Sequence, residues 1–324
     1  MAESNKAIYA ALLGNAAIAV TKFGAAAITG SASMASEAVH SMVDTVNEVL
    51  LLYGKRRARK RPDRMHPFGY GRELYFWTFV VSIMVFALGA MVSMYQGISH
   101  IREPEHLQQP LVNYIVIGIS LVFEGMSWRV GFRQFHAGLR PGQNLWQALR
   151  TSKDLSLLAV LIEDSAAVIG LLIAALGQAL SQWLDMPELD GVASLLIGLL
   201  LAQAAFALGS RSRDLLVGEA ASPELVDDLL DVANADPAII HANGVLTSYL
   251  GPDELIAALS AEFRDDLHTV DIEQAILRIE DAMRVKHPEL RVIYVKPQTP
   301  QVWADRIRDR MGEPDAMDDP ATDG

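Results

Sequence analysis

The 324-residue chain contains no cysteine, which excludes a disulfide scaffold, a thiolate metal site, a cysteine nucleophile and a thiol switch. Charge is scarce as well: Lys, Arg, Asp and Glu make up 20% of the residues, against roughly a quarter in ordinary soluble domains. Hydrophobic residues reach 51% and gather in long runs. Such a composition excludes a disordered chain, a nucleic-acid binder and an ordinary cytosolic enzyme. The net charge of −12 is unevenly spread, with 18 basic and 15 acidic side chains up to residue 213 and 9 and 24 beyond it. An apolar, slightly basic front and an acidic back predict a membrane domain, 1–213, with a soluble domain attached.

Six runs are long enough to cross about 30 Å of hydrocarbon as helices. They cover residues 8–29, 32–53, 74–98, 111–131, 155–180 and 189–209. The first lacks a cleavage site and is followed at once by another span, so it does not read as a signal peptide. Basic residues set the orientation. Lys55-Arg56-Arg57-Ala58-Arg59-Lys60-Arg61 follows the second run, Arg133, Arg140, Arg150 and Lys153 the fourth, and Arg211 and Arg213 the sixth. The loops after the first, third and fifth runs hold only Arg102. Both termini are therefore expected in the cytoplasm, with a bacterial inner membrane as the expected home; a mitochondrial matrix would obey the same rule.

From Gly218 the pattern is that of a small α+β domain, 214–300. Ser222-Pro223 starts a helix running to Asn234, with a Ser cap and Pro at the first helical position. Strands are expected over 244–249 and 254–263, joined by Gly251-Pro252-Asp253. Ile272, Ile276, Ile279 and Met283 mark an amphipathic helix that ends at His287-Pro288, and 291–295 reads as a last strand. The order αββαβ predicts a small sheet with two helices on one face. Beyond Gln298 come a possible short helix and an acidic, disordered tail, 301–324 taken together.

Polar groups inside spans are costly, about 2.5–3.5 kcal/mol for a central Asp or Lys, so each asks for a reason. Glu37, His40, Asp44 and Asn47 step by 3, 4 and 3 and share one face of the second span, while Glu163 and Asp164 interrupt the fifth. At 1.5 Å per residue, Asp44 lies roughly 18 Å from the outer end of its span and Asp164 about 15 Å from the inner end of its own. Both fall near the midplane. An imidazole and carboxylates meeting there suit a divalent cation such as Zn²⁺, Mn²⁺, Fe²⁺ or Co²⁺. Taken singly, His40 could be an interhelical hydrogen-bonded histidine and either Asp half of an ion pair. Lys22 is the only base at that depth, too few to neutralise them all. Adjacent helical residues diverge by about 100°, so Glu163 and Asp164 are not expected to be equal ligands. Lys22 and Glu37 lie at similar depths and read as a structural pair; Glu48 and Glu124 lie nearer the cytoplasm, at an inner vestibule or the interface.

The second span, Gly30-Ser31-Ala32-Ser33-Met34-Ala35-Ser36-Glu37-Ala38-Val39-His40-Ser41-Met42-Val43-Asp44, resembles that of the cation diffusion facilitator family, with its metal-binding His-x-x-x-Asp. His66-Pro67-Phe68-Gly69-Tyr70-Gly71-Arg72-Glu73 is similar to the family's approach to the third span. With Leu161-Ile162-Glu163-Asp164-Ser165-Ala166, the chain looks most like the branch of mitochondrial zinc exporters and their bacterial relatives. The resemblance implies six spans, a metallochaperone-like αββαβ domain, a homodimer, and efflux of a divalent metal, zinc first, in exchange for protons. Metal and protons would be substrates and the bilayer the surroundings, with no cofactor, enzymatic activity or nucleic-acid partner.

His40, Asp44 and Asp164 match the family's ligands. Val160 stands where the family has a further His or Asp, a place Glu163, Asn47 or water could fill. In the family's second possible site, between spans two and three, Asp63 and His66 match and Tyr70 replaces the last histidine, so tight binding there is not expected. Ala258, Leu259 and Tyr294 stand near the histidines of some members' cytoplasmic sites, and His241 alone has a counterpart; His268 and His287 read as surface residues. A metal- or pH-gated passive channel and a membrane metal sensor are the alternatives. The channel would conduct without a proton gradient, and the sensor would need an effector module larger than residues 298–324.

Overall fold

The computed structural model describes residues 2–104, 110–139 and 144–311. Arg140 and the tail 312–324 lie outside the described residues. The chain falls into two compact units, one from the chain up to Arg61 with Tyr70–Val217, the other from Pro62–Gly69 with the chain from Gly218 onward.

The first unit is helical. Its elements are α1 (Ala2–Thr29), α2 (Ala32–Ala58), α3 (Glu73–Met84), α4 (Met91–Arg102), α5 (Pro110–Ala137), the short α6 (Leu145–Thr151), α7 (Leu155–Leu184) and α8 (Glu188–Val217). A π-helical stretch, Val85–Ala90, joins α3 to α4 so that Glu73–Arg102 is one long helix. That helix and α5, α7 and α8 are the four long and apolar enough to cross a membrane among the described residues. Polar groups along its length set α2 apart from them. Val43 and Leu51 of α2 pack with Val81, Leu171, Ile197 and Leu201 in the unit's core. Lys22, Glu37, His40, Asn47 and Asp190 are buried, while Val122, Phe123, Leu199 and Phe206 face outward. This inversion suits a hydrocarbon solvent rather than water.

Local chemistry sets the helix ends near the functional groups. Gly30 turns the chain from α1 to α2 with a φ of 69°, a conformation that suits a residue without Cβ. Ser31 then caps α2 by accepting from the Met34 amide at 3.1 Å. Asp154 caps α7 through the amides of Ser156 and Leu157.

The second unit contains α9 (Pro223–Asn234), β1 (Ile239–Gly251), β2 (Glu254–Phe263), α10 (Thr269–Lys286), β3 (Leu290–Pro297) and α11 (Pro300–Met311). The sheet order is β1-β2-β3, with β1 and β2 antiparallel and β2 and β3 parallel. A parallel pair needs a crossover, and α10 supplies it. Leu255, Ala257, Leu259 and Ala261 alternate along β2 toward the core with Leu229 of α9 and Ile279 and Met283 of α10. The opposite face carries Ser260, which pairs in register with Gly244. There α11 lays Trp303 over Gly244, close enough that a Cβ at Gly244 would come within 2.6 Å of the indole. Residues 300–311, read from sequence as a possible short helix within the tail, therefore belong to the packed domain.

Candidate functional site

The site is assembled from four helices. Along α2, Glu37, His40, Ser41, Asp44, Asn47 and Glu48 recur at three- and four-residue steps and face α1, α5 and α7. Against them α1 brings Asn15 and Lys22, α5 brings Glu124 and Ser127, and α7 brings Glu163 and Asp164. A small cavity, about 20 Å³, is lined by the carboxylates Asp44, Glu48, Glu124, Glu163 and Asp164 with Asn15, Ser41 and Val160. That is room for about one water-sized body, so an ion could occupy it only after shedding most of its hydration shell.

Each carboxylate is engaged by a side chain nearby. Asn15 Nδ2 donates to Glu48 Oε1 at 2.6 Å, Asn47 Nδ2 to Glu163 Oε1 at 3.0 Å, and Ser127 Oγ to Asp164 Oδ2 at 2.8 Å. Lys22 Nζ lies 3.9 Å from Glu124 Oε1, and His40 Nδ1 lies 3.2 Å from Asp44 Oδ1. The His40–Asp44 approach falls outside hydrogen-bond geometry, leaving both imidazole nitrogens and Asp44 Oδ1 without a hydrogen bond. Among the described residues no three His, Asp or Glu side chains are grouped closely enough to hold a metal ion.

Lys22 sits beside the cavity rather than on its wall. Its Nζ lies 3.2 Å from Glu37 Oε2 and donates to Ser41 Oγ at 2.7 Å, with no solvent at Lys22 or Glu37. Gly170 of α7 makes room for this pair, since a Cβ there would collide with Glu37 Oε1.

Asp63 and His66, the candidate secondary residues, lie on the loop Pro62–Gly69 with their side chains partly exposed, 3.5 Å apart. Asp63 Oδ1 accepts from the amides of Met65 and His66, an ordinary turn arrangement. In the second unit His268 precedes α10 and His287 ends it; His287 lies between Asp228, at 3.5 Å, and Glu289, at 3.6 Å. His241 is exposed on β1, opposite Glu262.

Sequence reasoning missed Asn15 and Ser41 on the cavity wall, and two further residues that hold the site together. Ser127 follows Glu124 by three positions and so shares its face of α5, a signal that was available. Asp190 was legible only as the polar start of the last span. Its fully buried carboxylate accepts from the amides of Ala32 and Ser33 at 2.6 and 3.2 Å and from the hydroxyls of Ser31 and Ser33. It thus neutralises the N-terminus of α2, the helix that carries half the site.

The sequence pattern of the cation efflux transmembrane domain matches residues 8–217. The human protein named proton-coupled zinc antiporter SLC30A9, mitochondrial, is 31% identical over 275 residues, covering 83% of this chain and 48% of its own length. Metal tolerance protein C4 of Arabidopsis thaliana is 29% identical over 250 residues, or 77% of this chain and 55% of its own. Cation-efflux pump FieF of Klebsiella pneumoniae is 27% identical over 286 residues, 83% of this chain and 90% of its own. The chain spans about half the length of the first two of these relatives.

Proposed function

The chain belongs to the cation efflux (cation diffusion facilitator) family, near the mitochondrial zinc antiporter branch, and from that membership we propose that it exports a divalent transition metal in exchange for protons. Zn²⁺ is the first candidate, with Mn²⁺, Fe²⁺ and Co²⁺ accepted by the same donor chemistry. The observation that carries the reading is the one-ion cavity lined by Asp44, Asp164 and three further carboxylates in the interior of an apolar helical domain.

Binding requires the carboxylates to leave their present partners and close on the ion. Asp44 and Asp164 are the principal ligands, with His40 turning an unpartnered nitrogen toward the ion beside Asp44. Glu163, held by Asn47, supports the site from the α2 side. Metal ligation needs deprotonated carboxylates and a neutral imidazole, so protons arriving from the far side compete for the same atoms and release the metal. That competition couples the two fluxes without additional machinery.

In this reading α1 and α2 join the four long apolar helices to give six spans, with both termini in the cytoplasm of a bacterium and a homodimer as the working unit. Asp63 and His66 remain a weak secondary contact for ions near the membrane surface.

The test is transport in proteoliposomes with a panel of divalent metals, with and without a pH gradient. Metal flux should depend on the gradient, and Asp44→Asn and Asp164→Asn should each abolish it while leaving a monodisperse folded protein. Flux that continues unchanged without any proton gradient would instead identify a passive channel. Near-normal flux in either variant would remove the cavity from the mechanism.

A further inference from the structure

We infer that Ser127, on α5, is the residue that positions Asp164 for the ion, and that it does so from the wall of a vestibule leading to the cavity. The inference rests on the transport reading above and deepens its site.

Two independent observations meet at this hydroxyl. Ser127 Oγ donates to Asp164 Oδ2 at 2.8 Å, so one oxygen of the carboxylate is committed and the other is left to turn inward. Ser127 also lines a second, larger cavity of about 520 Å³, together with Lys55, Gln134, Asp154, Ser156 and Val160. Val160 lines this space and the one-ion cavity alike, so the two share a wall residue. Lys55 belongs to the basic cluster at the end of α2, and Asp154 caps the start of α7, which places the larger cavity at the loop end of the bundle.

The chemistry explains why a hydroxyl is useful here. Asp164 must adopt one rotamer to meet an ion shared with Asp44, yet its neighbours around the cavity are mostly carboxylates that repel it. A donor that fixes one oxygen lowers the cost of that rotamer and keeps the charge in place before the ion arrives. The paired arrangement on α7 supports the assignment. Glu163 is held by Asn47 of α2 and Asp164 by Ser127 of α5, so adjacent carboxylates are drawn toward different helices and only one is aligned from the vestibule side. Ser127 touches Asp164 rather than the ion and is therefore a positioning residue.

Outer-shell donors of this kind are worth about 10- to 100-fold in metal affinity. Ser127→Val, which removes the hydroxyl and roughly keeps the bulk of threonine, is expected to raise the KM for metal about 10-fold and leave kcat within about twofold. Ser127→Thr, which keeps the hydroxyl, should restore the wild-type KM. Titration calorimetry of Zn²⁺ into the purified full-length protein should show the same pattern in Kd. Equal KM and Kd for the Val, Thr and wild-type proteins would overturn the inference, as would equal losses in both variants, which would report bulk rather than hydrogen bonding. Asp164→Asn is run alongside: if it transports normally the site itself has been misassigned, whereas loss in Asp164→Asn with an unaffected Ser127→Val condemns only the role of Ser127.

Discussion

Lys22 and Glu37 meet at 3.2 Å with neither side chain reaching solvent, and Ser41 and Glu124 complete the surroundings of the ammonium group. Removing one member of such a pair strands the other charge, which commonly costs about 3–5 kcal/mol, whereas removing both can be far cheaper. Lys22→Met should therefore lower the thermal stability of the detergent-solubilised protein markedly, and Lys22→Met with Glu37→Gln should recover part of that loss. Additive losses, measured as Tm shifts in the double-mutant cycle, would show that the two side chains are not coupled. The candidate ligands were legible one residue at a time, because a His, Asp or Glu inside an apolar run is conspicuous. The hydroxyl that holds Asp164 and the amide that holds Glu48 were not. Ser127 and Asn15 are ordinary residues in a helix, and only the approach of α5 to α7 and of α1 to α2 gives them a carboxylate to hold.

Among the elements, α4 packs backbone to backbone against α8. A Cβ at Gly97 would come 2.7 Å from the Gly191 carbonyl oxygen, and one at Gly191 would meet the backbone of Gly97 and Ile101 at about the same distance. Small residues allow such an approach, and packing rather than hydrophobic transfer holds helices together in lipid. Gly97→Leu should consequently lower Tm or abolish folded expression, while Gly118→Ala, on α5 with open space around it, should be silent. In the second unit the C-terminal end of α10 is tied to α9 by Lys286, whose Nζ donates to Asp228 at 2.8 Å. This hydrogen bond, with His287 nearby, holds the Asp228 carboxyl below its ordinary range. A depressed carboxyl adds stability above its unfolded-state value, and that contribution disappears as pH falls through the folded-state value. Acid unfolding of wild type and Asp228→Asn should therefore converge at low pH and separate toward neutrality. The strands and helices of this unit were readable from caps, turns and periodicity. The packing of α11 was not, because Gly244 and Trp303 lie far apart in sequence and meet only once β1 is in the sheet.

At the scale of the whole molecule, an apolar helical unit carries the carboxylate cavity and an acidic α+β unit carries scattered histidines. Among the described residues none of His241, His268 and His287 joins two further ligating side chains in a metal-holding group. The second unit should bind Zn²⁺ only weakly and lose that binding in salt, as expected of diffuse acidic charge. Calorimetry on a fragment spanning 218–311, which keeps α11, is the check, and a micromolar site that survives physiological salt would overturn this expectation. The sequence by itself determined the class of the protein: long apolar runs demand a low-dielectric surrounding, basic loops set the expected orientation, and charges within those runs single out the candidate side chains. These are properties of local composition and helical period. Tertiary structure alone decided which charges share a cavity, that Asp190 closes the N-terminus of α2 from a distant helix, and which donor holds each carboxylate. Such choices depend on the distances between helices, and interhelical distance is set by packing at positions such as Gly97, Gly170 and Gly191 rather than by any pattern along one segment.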